Sequence, residues 1–375
     1  MSQQIDRETL AQILETEDIE TLSFSELLKS FREEITKSLP DGVCQVDPRN
    51  GDRILFASAR ARRPHDNLPE PANGPQAERA CVICQGNTTG VIDVTDLSEG
   101  FTFINKNLYP ILYPWEASRV VMDKVKHTPG PQGHIACGLH FVQWTSSLHD
   151  KDWHNMPLAD CIVVMQRLAV LESKLLTDSQ EVFSSVESGE RPVPHGFVLI
   201  IKNYGHLVGG SIAHGHQQIA YSNTLPQRIS DDWCFEQEHG ETFSTYLIRE
   251  NPTDFLIRDY GPAVLLVPYF MRRPYNMMLL VKDTSKKQIH ELTETEIAAV
   301  AEGWHDAIRA IHAIMPTIGR ETAYNVVTHN GPGDGLYFEF LPYVQEIGGA
   351  EHLGLFICQG NPKSAATGIR ECLER

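Results

Sequence analysis

The chain has 375 residues, 41% of them hydrophobic, and 32 Lys and Arg stand against 49 Asp and Glu for a formal net charge of -17. At roughly 150 residues per domain this is room for about two domains with real cores, and so acidic a balance argues against nucleic-acid and anionic-membrane partners, so that an anionic substrate needs a local basic site. No apolar run approaches the roughly 20 residues of a bilayer span, the start has no basic-then-apolar leader pattern, and eight scattered cysteines make no disulfide framework; a cytoplasmic location is expected.

Residues 5–39 read as a helical extension, with Leu10, Ile13, Leu14 and then Leu22, Phe24, Leu27, Leu28 and Phe31 at helical spacing. A turn at Asp47 to Asp52 leads into a strand from Arg53 to Ser58. The densest positive cluster follows at once, Arg60-Ala61-Arg62-Arg63-Pro64. It is either a solvated loop or a bidentate grip on several phosphates. Residues 64–80, rich in Pro, Asn and Glu, read as an exposed loop ending at the Cys81-Val82-Ile83-Cys84 pair, which suits a metal or redox role. Strands are expected at Gly100 to Ile104, before Asn105-Lys106-Asn107-Leu108-Tyr109-Pro110, and at Leu139 to Trp144, before Ser146-Ser147-Leu148-His149. An amphipathic helix from Met156 to Leu176 places Pro157 in its first turn.

After a strand at Phe197 to Ile201 and the loop opened by Asn203-Tyr204-Gly205 comes the stretch from Gly209 to Ile219. As a strand it would present His214, His216 and Gln218 on one face. One imidazole could then bind a metal while the other attacks a phosphorus, since neutral imidazole is a good nucleophile near pH 7. The small residues Gly209, Gly210, Ser211, Ala213 and Gly215 would let phosphates approach free backbone N–H groups.

The pattern then starts again. Strands at Ala263 to Tyr269 and Asn276 to Val281 precede a helix from Glu294 to Ile314 with a Thr293-x-x-Glu296 capping box, and strands near Tyr324 to Thr328, Leu336 to Leu341 and Leu353 to Cys358 precede a last helix. This is a duplicated α+β unit, divided at 1–40, 41–225 and 226–375. For a tetrahedral metal site, Cys81 and Cys84 need two more ligands; His214 is one candidate and His149 another, with His154 and His140 as rivals, and a reduced pair without metal is the alternative. His312, on the long helix, reads as a packing or surface residue.

Taken together these motifs resemble the galactose-1-phosphate uridylyltransferase family, the transferase branch of the histidine-triad superfamily. The resemblance runs from about residue 45 to the C-terminus, through the arginine-rich loop, Cys81-Val82-Ile83-Cys84-Gln85-Gly86-Asn87, Asn107-Leu108-Tyr109-Pro110, Asn203-Tyr204-Gly205 through Gln218, Val267-Pro268-Tyr269 and Phe340-Leu341-Pro342. It implies two tandem histidine-triad-like repeats with antiparallel sheets and packed helices, behind an N-terminal helical extension, in a homodimer. It also implies structural zinc on Cys81, Cys84, His149 and His214, and His216 as a nucleophile that becomes nucleotidylated. Ser211 and Gln218 would hold the phosphates, Arg60 and Arg63 the diphosphate, and Asn107 and Asn203 the nucleoside or its phosphate, with Gly210 and Gln359 also at the substrate. The substrates implied are a nucleotide sugar and a sugar phosphate or phosphate.

Gln218 stands where hydrolytic relatives carry a third histidine. An amide can bond a phosphate oxygen but cannot act as a general acid, which favours transfer to a phosphate acceptor over hydrolysis. Two departures are visible. Leu108 follows Asn107 where the uridylyltransferases often carry an acidic residue, closer to relatives acting on ADP-glucose or dinucleoside polyphosphates, which leaves the base open. The family's second metal site, a carboxylate and three histidines, corresponds here to Asp232, His329, Tyr337 and Glu339, so an empty or altered site is expected. A nucleotidyltransferase with a double-displacement mechanism is the reading, a phosphorylase of ADP-glucose or a dinucleoside polyphosphate the first alternative, and a non-catalytic nucleotide binder the second.

Overall fold

The computed structural model describes residues 3–35, 38–63, 81–114, 130–184, 196–331, 333 and 335–374; the loop expected at 64–80, with Pro64, lies outside them. A small antiparallel sheet of β1 (Val43–Val46), β2 (Arg53–Leu55) and β5 (His134–Ile135) has the order β2-β1-β5. A second sheet of ten strands carries the rest: β3 (Val91–Asp96), β4 (Phe101–Lys106), β6 (Gly138–Trp144), β8 (His216–Ser222), β7 (Phe197–Tyr204), β12 (Tyr324–His329), β13 (Tyr337–Pro342), β11 (Met277–Val281), β10 (Ala263–Leu266) and β9 (Leu256–Asp259), in that spatial order. Every pairing is antiparallel.

Read from each outer edge inward, the two halves share one winding. The order is first, second, third, fifth, fourth strand on either side, and the two fourth strands, β7 and β12, join the halves with Asn203 opposite Asn325 and Tyr204 opposite Tyr324. Each half places its long helix between its third and fourth strands: Leu158–Ser184 in the first, Glu294–Thr317 in the second. The expected α+β duplication is therefore present in the winding of the sheet.

The two long helices pack against each other and bury Leu168, Leu171 and Leu175 with Trp304, Ile308 and Ile311 in a core shared with Ile200, Ile219, Val326 and Phe338 of the sheet. The second helix starts as its sequence dictates, with Thr293 capping and Glu296 returning the bond to the Thr293 N–H. It also lies close to the sheet, since a side chain at Gly303 would strike Leu279.

Three expectations are corrected. The N-terminal extension is two short helices, Arg7–Ile13 and Phe24–Glu34, separated by a single 3-10 turn at Ile19–Thr21, because Asp18 and Ser23 each cap a new start. The strand expected over Arg53 to Ser58 ends at Leu55, and Ser58–Arg62 winds as a 3-10 turn. No strand forms at Leu353 to Cys358: Gly349–His352 is a short helix, and Leu353, Leu355 and Ile357 beyond it are exposed. Gly354 takes a φ of 84°, in the left-handed region that strands do not use, and side chains take up the segment's backbone groups: Gln345 donates to Ile357 O (2.9 Å) and accepts from the Gln359 N–H (3.1 Å), and Glu351 accepts from the Ile357 N–H (3.3 Å).

Candidate functional site

Strand β8 begins at His216, so His214 and Gly215 stand in the turn before it rather than on the strand face with His216 and Gln218. That turn is tightly held. The N–H and hydroxyl of Thr145 both donate to the Gly215 carbonyl (3.1 Å each). A side chain at Gly215 would meet Thr145 Oγ1 at 2.6 Å and Asp152 Cγ at 2.7 Å, so only glycine fits. Beneath it the buried Lys202 donates to the His216 carbonyl (3.1 Å) and pairs with the buried Asp152 at 2.6 Å.

His216 Nδ1 donates to the His214 carbonyl at 2.8 Å. A carbonyl only accepts, so Nδ1 carries the proton and Nε2 keeps its lone pair. Burial, chiefly, pushes the His216 pKa down to about 4, which leaves the ring neutral near pH 7. The Trp144 ring lies 5.0 Å away, tilted by 40°.

His216 lines a surface cleft. Arg60, Arg63, Asn107, Ser211 and Gln218 line the same cleft. Arg60 is fixed by donating to Tyr109 O (2.6 Å), and burial brings its pKa down to about 10, still cationic at neutral pH. Arg63 donates to Gly209 O (3.3 Å). Two positive side chains thus face a neutral imidazole inside an acidic protein. Asn203, Gly210 and Gln359 do not line this cleft. Asn203 Oδ1 accepts from Asn325 (2.6 Å) at the junction of the halves, and Gln359 sits beside Gln345. The N–H groups of Gly209 and Gly210, expected free for phosphate, bond to His206 O and Gly205 O. Gly210 is needed for the turn itself, because a Cβ there would lie 2.8 Å from Gly205 O.

Cys81, Cys84, His149 and His214 bring one ligand atom each to within 4.8 Å of one another. Cys81 Sγ and Cys84 Sγ lie 3.8 and 3.5 Å from His214 Nδ1, and Cys84 Sγ lies 3.7 Å from His149 Nδ1. Zinc bonds of roughly 2.3 Å to sulfur and 2.0 Å to nitrogen put tetrahedral S and N neighbours about 3.6 Å apart, so the donor set fits such an ion. His214 Nε2 donates to Ser146 O (2.7 Å), which fixes the tautomer that turns Nδ1 to a metal. Hydrogen bonding from Cys84, chiefly, holds the Cys81 thiol well below the usual thiol range. The rivals are engaged elsewhere: the His154 ring stacks on His312 at 3.6 Å, and His140 Nδ1 accepts from Ile111 N–H (3.2 Å).

The residues matching the second metal site do not fit a cation. His329 Nδ1 donates to Asp232 (2.9 Å) and Nε2 to Glu339 (3.1 Å), so the two carboxylates lie on opposite edges of one ring, and Tyr337 also donates to Asp232 (2.9 Å). Despite burial, the two carboxylates raise the His329 pKa to about 10. The imidazolium is itself the positive charge between two acids. The Cys81 cluster is the one metal-competent group among the described residues.

Three residues escape a reading by motif. Trp144 and Asp152 carry no spacing signal. Lys202 carries one, a lysine inside an apolar strand just before Asn203, which is expensive unless paired.

No helix among the described residues is long and apolar enough to cross a membrane. No protein-family model matches the chain. Among curated proteins it is 20% identical over 345 residues to the ADP-glucose phosphorylase of Arabidopsis thaliana, covering 87% of this chain and 91% of that one. It is 22% identical over 274 residues to the galactose-1-phosphate uridylyltransferase of Saccharomyces cerevisiae, covering 68% and 71%. Among solved structures, a uridylyltransferase superposes with a TM-score of 0.65 at 19% identity over 88% of this chain and 98% of that one. The crystal structure of an ADP-glucose phosphorylase from Arabidopsis thaliana with bound ADP-glucose superposes with a TM-score of 0.58 at 17% identity over the same shares. At such identities the superpositions speak for the fold, and with the sequence matches they bear out the motif reading: the chain resembles the galactose-1-phosphate uridylyltransferase family and has its fold.

Proposed function

We propose that this protein is a nucleotidyltransferase that works by double displacement on a nucleoside diphosphate sugar. The observation that carries the reading is His216: a neutral, tautomer-fixed imidazole with an unprotonated Nε2, in a cleft that also presents Arg60 and Arg63. In the first step Nε2 bonds to the α-phosphorus, the bond from that phosphorus to the bridging oxygen breaks, and sugar 1-phosphate leaves with the electron pair. In the second, a phosphate oxygen of the acceptor attacks the same phosphorus, the N–P bond breaks, and the imidazole is restored. Neither leaving group needs a proton, which suits Gln218, an amide. The arginines stabilise charge gathering on the phosphoryl oxygens, with Ser211 and Gln218 as further hydrogen-bonding groups and Asn107 toward the nucleoside.

Zinc bound by Cys81, Cys84, His149 and His214 would be structural, fixing the turn from which His216 emerges. The reading takes the units as 1–40, 41–225 and 226–375, a homodimeric assembly and a cytoplasmic location. By resemblance the donor is UDP-glucose and the acceptor a hexose 1-phosphate. A second reading, adenylyl transfer from ADP-glucose to inorganic phosphate, is supported by the match to the ADP-glucose phosphorylase, which spans 87% of this chain where that to the uridylyltransferase spans 68%.

Intact mass after mixing with UDP-glucose or ADP-glucose, without acceptor, tests both. The expected result is an acid-labile gain of one nucleotide, absent in His216→Ala, whose mass as UMP or AMP names the base. Release of that nucleotide by phosphate alone supports the phosphorylase. Binding of nucleotide sugar with no adduct from any donor would instead make the protein a non-catalytic binder.

A further inference from the structure

The turn that supplies half of the metal ligands has little structure of its own. Cys81 to Asn87 forms two tight turns, with Gln85 N–H on Cys81 O (3.2 Å) and Gly86 N–H on Ile83 O (2.9 Å), and it belongs to no strand or helix. His149 comes from a separate segment, after β6. The two must be held together by something other than a metal if the site is to keep its shape while loading or releasing an ion.

The N-terminal segment does this. Gln3 reaches both sides of the cluster, its Oε1 accepting from the Cys81 N–H (3.1 Å) and its carbonyl accepting from the His149 N–H (3.0 Å). Gln4 bridges antiparallel to Leu148, and Ile5 N–H donates to Ser147 O (3.0 Å). Ile5 is 1% exposed and packs with Leu10, Cys81 and Ile83. The helix Arg7–Ile13 then closes over the other end of the turn, where a side chain at Gly86 would strike Thr9 at 2.7 Å.

We propose that residues 3–14 are a clasp that retains the divalent metal of the two-cysteine, two-histidine site, with Gln3 as its positioning residue. Release of a tetrahedral ion requires its ligands to part. The thiolates must swing away from the imidazoles, and the Gln3 cross-link between the Cys81 and His149 backbones restrains that opening. No residue of the clasp lines the His216 cleft, and the proposal rests on the metal reading of the site rather than on the nucleotidyl-transfer reading.

The test uses full-length protein loaded with zinc and challenged with excess chromogenic chelator, the readout being the rate of zinc release, with no nucleotide present. Gln3→Met keeps the side chain's length but removes its acceptor, and release should quicken by about tenfold, the lower end of what support of metal ligands is worth. Leu373→Ala, a buried truncation in the C-terminal helix, should lower thermal stability and leave the release rate as in the wild type. The proposal is overturned if Gln3→Met releases zinc at the wild-type rate, or if Leu373→Ala quickens release as much. It also falls if the wild type takes up no stoichiometric zinc, an outcome that leaves the His216 adduct experiment untouched.

Discussion

The proton on His216 Nδ1 is held by the carbonyl of His214, 2.8 Å away, so the residue placed to help bind a metal also sets the tautomer of the residue placed to attack phosphorus. Two roles two residues apart are thereby coupled through one backbone oxygen. Because burial lowers the His216 pKa to about 4, the ring stays neutral far below the ordinary histidine range. The rate of adduct formation should therefore be flat from about pH 8 to 6 and fall as pH drops toward 4, when Nε2 takes a proton. Quenched-flow mass measurement across that range checks it. A break near the ordinary value of about 6.5 would mean the ring is more open to water than its burial implies.

The Lys202 and Asp152 pair lies beneath the same turn, with both side chains out of contact with water. Removing one partner strands a buried charge, so Lys202→Met should destabilise the fold by about 3–5 kcal/mol, whereas Lys202→Met with Asp152→Leu should recover part of the loss. Urea denaturation of the single and double variants gives the comparison. Equal losses in both would show that the pair matters through packing and not through charge.

How far the sequence shows this site depends on the kind of signal. The duplicated winding is legible because strand runs and a capped long helix recur in order, and the Thr293 and Glu296 box forms as its spacing demands. Cys81 and Cys84 are legible because soft-metal ligands come at a short, fixed spacing, and His214 because it stands two residues before His216 in a glycine-rich stretch. The choice of His149 over His154 is not, since it depends on where a strand end lands in space. Leu353 to Cys358 misleads because a short apolar run reads as a strand, whereas here Gly354 turns the backbone into the left-handed region and the side chains of Gln345 and Glu351 take the Ile357 backbone groups. Gln3 is silent for the opposite reason. A polar residue using its backbone and amide against two distant segments leaves no periodicity to detect.

His329 makes a prediction of pH-dependent stability. Its pKa is raised to about 10 in the folded protein against about 6.5 unfolded. The stabilisation is then fully present below about pH 6.5 and lost as pH rises through 10. His329→Gln should cost about 3 kcal/mol near pH 7, by leaving Asp232 and Glu339 without their cation, and the cost should shrink above pH 10. Thermal melts of both proteins from pH 6 to 11 test the sign. Metal analysis supplies an independent check, since one zinc per chain is expected and a second bound ion would contradict the imidazolium bridge.

Gln218 decides the fate of the proposed intermediate. It lines the cleft with His216, and on β8, where side chains alternate, it shares that residue's face of the strand. As an amide it can hold a phosphoryl oxygen but cannot take a proton from water or give one to a leaving group. A phosphate acceptor arrives already ionised and needs no such help; water does. Gln218→His would supply a group able to act as acid or base at that position, where such assistance is typically worth 10²–10⁴-fold. We expect the variant to hydrolyse the nucleotidyl adduct at least about tenfold faster than the wild type, and the ratio of transfer to hydrolysis to fall accordingly. Following isolated adduct in buffer with and without phosphate separates the two fates. If hydrolysis stays as slow in the variant, exclusion of water from the cleft, rather than the missing acid, is what protects the intermediate.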